Sequence, residues 1–423
     1  MRRTKLFPVY LIYFLDTFSF AIVFPLFSSL ILTSLYDFLP NTTSLSHRNI
    51  LLGILTAGFP LGLFLGAPLI GSLADRHGRK FAFYLTLSGI FLGSLLTIYT
   101  LAIKAFYLLI FSRLFTGFFS GNLTLCLATL TDLSETPKAQ AKNFGLLTGI
   151  GGLSWIAAML IGGDLSNPQL FSAFNATIPF YFAAGGALIN ILILAIFFQE
   201  PLRSRTKRSF QIGKAFHNLS KAFSSSSHQS LYFILLLFAI SWLIIMQWFS
   251  GYSLERYHVG REQLVIGLIA IGLCWTLAGT VLNRPIINRI PLPNIPLIPL
   301  IVLVLFLFLA NRLPTESGYS LFILVNSIAA AASSIALSNL LNLISLSANR
   351  NIQGEIIGLS QSVLALAQFI SPLAGGFLLT QKISYFYLFA ALMATIALLL
   401  FCKEFRSLKQ RARFKIPHLK KGR

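Results

Sequence analysis

Acidic residues are scarce in this chain: 12 Asp and Glu among 423 residues. Charged residues of every kind make up 11%, against about 25% in an ordinary globular domain. A surface so poor in charge cannot enclose its core in water, which excludes a soluble enzyme and a disordered tail. Cysteine is nearly absent as well. Cys126, Cys274 and Cys402 all lie within apolar runs and form neither a CxxC pair nor a disulfide framework. All six histidines (His47, His77, His217, His228, His258 and His418) fall in loops or tails, which removes a histidine proton relay. No glycine-rich phosphate loop ending in GKS or GKT occurs, so nothing points to a nucleotide-driven pump. No cofactor is expected.

What the chain has in excess is apolar surface, with 56% hydrophobic residues and a mean hydropathy of +0.77. Apolar runs of about 20 residues, the length that crosses a bilayer, recur along it. They are read at 6–33, 49–72, 81–103, 106–131, 143–163, 177–199, 230–252, 263–282, 292–310, 318–345, 355–380 and 383–402. These twelve spans predict an all-α membrane protein. The first keeps an Asp in its middle and is followed by no small-residue cleavage site, so it is read as retained rather than as a signal peptide. Residues 201–229 are polar, basic and serine-rich and read as a linker. They divide the chain into an N-terminal bundle (1–200) and a C-terminal bundle (230–402), with a basic tail over 403–423.

The surplus of 33 Lys and Arg over 12 acids would suggest nucleic acid in a soluble protein. Here 26 of the cations fall at the termini and in the loops on their side, and 6 fall in the opposite loops. The positive-inside rule then predicts both termini in the cytoplasm, in a plasma membrane of the bacterial inner-membrane kind. The basic tail reads as a topology signal near anionic headgroups rather than a nucleic-acid arm. The lipid bilayer is therefore an expected partner, and nucleic acid is not.

A shift of 213 residues brings Gly145 onto Gly358, Gly162 onto Gly375, Gly163 onto Gly376 and Arg76 onto Arg289. That is the mark of a duplicated six-helix unit, and such repeats commonly hold a transport site between them. The loop between spans 2 and 3 reads Gly71-Ser-Leu-Ala-Asp75-Arg76-His-Gly78-Arg79-Lys80, and span 4 carries Leu109-x3-Arg113-x3-Gly117-x3-Gly121. Both motifs resemble those of the major facilitator superfamily, and the resemblance extends over essentially all twelve spans. Span 1, with Asp16 nine residues before Pro25, is similar to the tetracycline-type drug/proton antiporters, although Ser19 and Ala21 stand where that branch has glycines. Span 5 also lacks the Gly-Pro pair of those antiporters.

The resemblance implies two pseudo-symmetric six-helix bundles and alternating access. It also implies that Asp75 faces the start of span 11, near Asn351–Glu355, and latches the cytoplasmic side. Asp132 is placed to pair with Arg76 or Arg79. The bland reading of all these charges is topology alone.

Asp16 is the only acid deep within a span and Arg113 the only base. A lone charge at mid-bilayer costs on the order of 3 kcal/mol, so such residues face the interior and usually pair. Two readings follow. Either Asp16 carries a coupling proton under the influence of Arg113, or the two form a permanent structural pair. Spans 7–12 hold no deep charge; their polar candidates are Asn326, Ser333, Gln361 and Gln368, with Trp155 matching Gln368 in the repeat. These five are candidate substrate contacts. A cavity with one acid, aromatics and amides suits an amphipathic, apolar or cationic molecule. The expected function is proton-coupled efflux of a drug or metabolite. A proton symporter importing a metabolite or siderophore is the alternative, and a membrane sensor or lipid enzyme the remote one.

Overall fold

The computed structural model describes all residues except 1, 135–136, 201–213, 225–228, 292–293, 316–317, 348–352 and 416–423. The described residues fold into helices, with no strand among them. Eleven helical segments are long and apolar enough to cross a membrane, and a twelfth, Leu297–Arg312, is a shorter apolar helix of 16 residues. Twelve crossings return both termini to one face.

Span 1 is two helices, α1 (Arg2–Ala21) and α2 (Val23–Leu32). Span 2 is α3 (Leu45–His77) and span 3 is α4 (Arg79–Ala102). Span 4 is again two, α5 (Phe106–Phe119) and α6 (Asn122–Leu133), followed by α7 (Pro137–Asp164) and α8 (Ile178–Phe197) for spans 5 and 6. The linker contains α9 (Lys214–Ser224), a helix where the sequence suggested only a polar connection. Ala222 is buried, and the Phe223 ring lies 4.7 Å from that of Phe233.

Span 7 is α10 (Gln229–Tyr257). Span 8 runs through α11 (Arg261–Leu277), a π-helical turn (Ala278–Leu282) and α12 (Asn283–Arg289), and so extends beyond its predicted end. Spans 9 to 12 are α13 (Leu297–Arg312), α14 (Tyr319–Ser347), α15 (Gln353–Gln381) and α16 (Ile383–Lys415). The last continues well into the basic tail.

Large apolar side chains such as Leu92, Tyr107, Ile196, Leu305 and Leu399 point outward, each more than half exposed. Water would not tolerate so many; hydrocarbon does. Inside, glycines let backbones touch. On span 2, a Cβ at Gly62 would lie 2.1 Å from the Leu114 carbonyl oxygen and one at Gly66 1.9 Å from that of Phe118. Spans 2 and 4 therefore pack backbone to backbone, the arrangement that small residues every four positions permit.

Spans 2 and 11 pack along each other, as do spans 5 and 8, and these pairs join the two bundles. The repeated glycine pair lies on that seam. A Cβ at Gly162 would meet Ile22 O of span 1 at 2.6 Å, and one at Gly163 would meet Val265 of span 8 at 2.5 Å. In the second copy, Gly375 lies against Trp248 of span 7, and a Cβ at Gly376 would meet Asn49 O of span 2 at 2.7 Å. Spans 7 and 8 are the repeat equivalents of spans 1 and 2. Each glycine therefore does the same work in its own half.

Candidate functional site

Both helix breaks lie at the deep charges. Gly121 has φ 105°, a left-handed conformation that favours glycine. It ends the run of α5 and lets α6 start afresh at Asn122. The first turn of a new helix carries unpaired N–H groups and the positive end of its dipole. Asp16 occupies that position. Asn122 Nδ2 donates to Asp16 Oδ1 at 3.0 Å, and the backbone N–H groups of Gly121 and Asn122 also point toward the carboxylate, while the Ser120 hydroxyl donates to Thr116 O at 3.1 Å. Asn122 is held in turn, its Oδ1 accepting from Thr86 Oγ1 at 2.7 Å. Asp16 itself is only half-buried.

Arg113 is not the partner of Asp16, contrary to the pairing considered from depth alone; no ion pair joins them. Pro25, which lacks an N–H, interrupts the hydrogen-bond ladder of span 1 and leaves Ala21 O without its i+4 donor, while Ile22 N–H still donates to Phe18 O at 3.0 Å. Just before that interruption, Ser19 O accepts from Arg113 Nη2 at 3.1 Å. The guanidinium is 2% exposed and lies over three rings, 4.9 Å from the centroid of Phe59, 5.8 Å from Phe27 and 5.9 Å from Phe180. Equal depth placed the two charges correctly, but two broken helices supplied each with a separate partner.

From Phe59 an aromatic wall leads to the seam. Phe59 packs on Phe20 at 5.4 Å, Phe20 on Phe24 at 5.3 Å, and Phe24 on Trp155 at 5.3 Å. Trp155 in turn rests against Gly272 of span 8, in the other bundle. On the other side of the seam, within the C-terminal bundle, Trp242 stacks on Trp275 at 5.3 Å, and Gln247 Nε2 donates to Gln368 O at 3.2 Å. The indole N–H groups of Trp155 and Trp242 and the side-chain oxygens of Gln247 and Gln368 are buried with no hydrogen-bond partner.

The predicted contacts thus separate. Trp155 and Gln368 lie at the seam, Gln361 is half-buried on the same span as Gln368, and Ser333 is fully buried with an unpartnered hydroxyl. Asn326 lies within its own bundle, donating to Phe322 O at 2.9 Å and accepting from Tyr387 Oη at 2.8 Å.

The loop motif forms a compact ion network inside the N-terminal bundle. Arg79 Nη1 meets Asp75 at 2.9 Å and its Nε meets Asp132 at 3.2 Å, so Arg79 rather than Arg76 joins the two acids. Gly78 takes φ 106°. Glu200, which sequence reasoning passed over, accepts from the backbone N–H groups of Arg79 at 3.0 Å and Lys80 at 2.8 Å. It caps the start of α4, where an acid is favoured. Gly71 has open space around it. The expected contact of Asp75 with the start of span 11 falls where Asn351 and Ile352 lie outside the described residues.

On the face opposite the termini the seam is closed by polar contacts as well as by glycine. Asn49 Nδ2 of span 2 donates to Glu255 Oε2 of span 7 at 3.2 Å. Arg261, at the start of span 8, reaches across to donate to Tyr36 Oη at 2.9 Å, Gly162 O at 3.2 Å and Ser166 Oγ. Tyr36 donates onward to Ser166 O at 2.8 Å. Sequence reasoning had counted Arg261 only as a loop cation.

Comparison with known proteins agrees with this architecture. The family model described as Major Facilitator Superfamily matches residues 9–316. The chain is 23% identical over 386 residues to the tetracycline resistance protein, class H, of Pasteurella multocida, covering 89% of each. Its fold is similar to that of the human organic anion transporter MFSD10, with a TM-score of 0.69 at 20% identity, covering 95% of this chain and 99% of that one. It is also similar to a D-xylose-proton symporter, with a TM-score of 0.76 at 14% identity, covering 94% and 96%.

Proposed function

The chain belongs to the major facilitator superfamily, and we propose that it is a proton-coupled exporter of a small amphipathic molecule, with Asp16 as the proton-carrying group. It is a multi-pass membrane transporter and not an enzyme; direction, coupling and substrate are what the proposal adds. The observation that carries it is the seat of Asp16, an acid half-buried at the freshly started N-terminus of α6. There the carboxylate is supported by dipoles rather than by a fixed counter-ion, so it can gain and lose a proton without breaking a salt bridge. Likeness to tetracycline resistance proteins along most of the chain supports export of drug-like compounds over other directions and cargoes. The structural likeness to a proton symporter keeps the importing reading as the second choice.

In this proposal the termini, the loop network of Asp75, Arg79 and Asp132, and the basic tail face the cytoplasm of a bacterial inner membrane. The Arg261 clamp faces outward. The protein works as a monomer, and the proton gradient takes the place of a cofactor.

The test is transport by purified protein in liposomes under an imposed proton gradient, with a tetracycline as first cargo. Asp16→Asn is expected to abolish gradient-driven accumulation while leaving downhill exchange. Undiminished proton-driven flux in that variant overturns the role of Asp16, and uptake in the direction of the proton flow replaces export by import.

A further inference from the structure

Arg113 is a buried cation with no acid partner among the described residues. An arginine has five N–H donors, and the carbonyl of Ser19 takes one of them. The three phenylalanine rings contribute cation–π attraction, but a ring face is a weak substitute for an oxygen. Deep burial of an unpaired ion costs several kcal/mol. The sole acid near the same stretch of span 1, Asp16, is already engaged by Asn122. Ser19, whose carbonyl holds Arg113, also has a hydroxyl that is buried without a partner. A cation held by a single carbonyl and an unpartnered hydroxyl therefore occur at one residue contact, and the aromatic wall of Phe59, Phe20, Phe24 and Trp155 connects that place to the seam between the bundles.

The geometry points to Arg113 and Ser19 as the anchoring subsite for an anionic group, a carboxylate or enolate, on an aromatic substrate whose ring system lies along Phe59, Phe20, Phe24 and Trp155. This rests on the reading of the seam as the transport site and narrows its cargo. An oxyanion supplies what the guanidinium lacks, two coplanar acceptors for adjacent N–H groups, and its remaining lone pairs can accept from the Ser19 hydroxyl. The flat body of the substrate replaces ring-to-ring contacts along the wall, where offset aromatic pairs are favourable. Charge recognition falls to Arg113 and proton exchange to Asp16, on the same span but with separate partners.

Equilibrium binding of 1-naphthoate to the purified full-length protein tests this, with methyl 1-naphthoate and 1-naphthylmethylammonium as matched neutral and cationic probes. The naphthoate is expected to bind at least tenfold more tightly than either. Arg113→Gln is expected to erase that preference and Arg113→Lys to keep part of it. The acid-over-ester preference is read at equilibrium without a proton gradient and gradient-driven flux is read separately, so loss of coupling and loss of the anion subsite are separately visible. The wild-type comparison of acid with ester needs no variant and stands even where Arg113→Gln fails to fold. Absence of saturable naphthoate binding, equal affinity for acid and ester, or an unchanged preference in a folded Arg113→Gln protein overturns the proposal.

Discussion

The glycine contact between spans 2 and 11 makes a quantitative prediction about the balance of transport states. Gly376 has no room for a side chain: its Cβ would fall 2.7 Å from the Asn49 carbonyl oxygen and 3.3 Å from the Gly53 Cα. Both obstacles are backbone, so the helices themselves must separate by several tenths of an ångström. Overpacking of this kind costs about 1–3 kcal/mol. The part of the cost that comes from span 2 exists only while this face is closed, since that contact joins helices of different bundles; the Trp248 ring, 3.3 Å away within the same bundle, is met in both states. Alanine also raises helix propensity over glycine by about 1 kcal/mol, but that gain applies equally to open and closed states and cancels between them.

Gly376→Ala is therefore expected to shift the closed-to-open ratio on this face roughly 5–150-fold toward open. Spin labels at Ser46 and Gln381, at neighbouring ends of spans 2 and 11, report the ratio by pulsed electron paramagnetic resonance after replacement of the native cysteines. The variant should move population from a short to a long distance while its melting temperature stays near that of wild type. Gly62→Ala is the control: its obstacle, the Leu114 carbonyl at 2.1 Å, lies inside the N-terminal bundle, so it should lower stability without changing the label distances. An unchanged distance distribution in folded Gly376→Ala refutes the assignment of this contact as a state-dependent closure.

Two further substitutions probe the rest of the machinery. Gly121→Ala places a side chain at φ 105° and should cost about 1–2 kcal/mol, seen as a lowered melting temperature. Because it also tilts the start of α6 away from Asp16, proton-driven transport should fall more steeply than binding of cargo. Arg261→Ala removes the cross-seam donors to Tyr36, Gly162 and Ser166. At about 1 kcal/mol net per hydrogen bond, it should open the same face by an order of magnitude or more, read as faster maleimide labelling of a cysteine at Ser166.

The spans were legible because a bilayer demands a long apolar run, a signal carried by composition alone. The repeat was legible because glycines at a close contact cannot be exchanged, and Gly162, Gly163, Gly375 and Gly376 prove to occupy equivalent contacts. Asp16 and Arg113 stood out because a charge in hydrocarbon is costly. Their partners did not, since depth along a helix says nothing about which way a backbone turns. A hint was present: Ser120-Gly121-Asn122 is a natural helix stop and restart. The role of Arg261 was hidden because a loop cation and a clamp across two bundles look alike until the bundles are docked. Asn326 misled in the opposite way. It is a candidate substrate contact in the sequence, but it lies on the unbroken α14, and the amide bonds within its own bundle.

This asymmetry between the halves bears on how protons and cargo are coupled. Every contact of Asp16 and Arg113, to Asn122, Ser19, Phe27, Phe59 and Phe180, lies within the N-terminal bundle. Rocking one bundle against the other as a rigid body leaves all of them intact, whereas it must break the contacts of Arg261 and Asn49 across the seam. Rigid rocking alone therefore changes the exposure of Asp16 but not its hydrogen bonds. For cargo to alter proton affinity, it must act through something the two charges share. Span 1 is that element: Asp16 and Ser19 are one helical turn apart, just before the interruption at Pro25. An anion drawing Arg113 away from the Ser19 carbonyl would free a backbone group in that turn and change how Asp16 meets α6. On this argument coupling depends on the flexibility of a single broken helix. It should survive changes to the seam that leave span 1 alone.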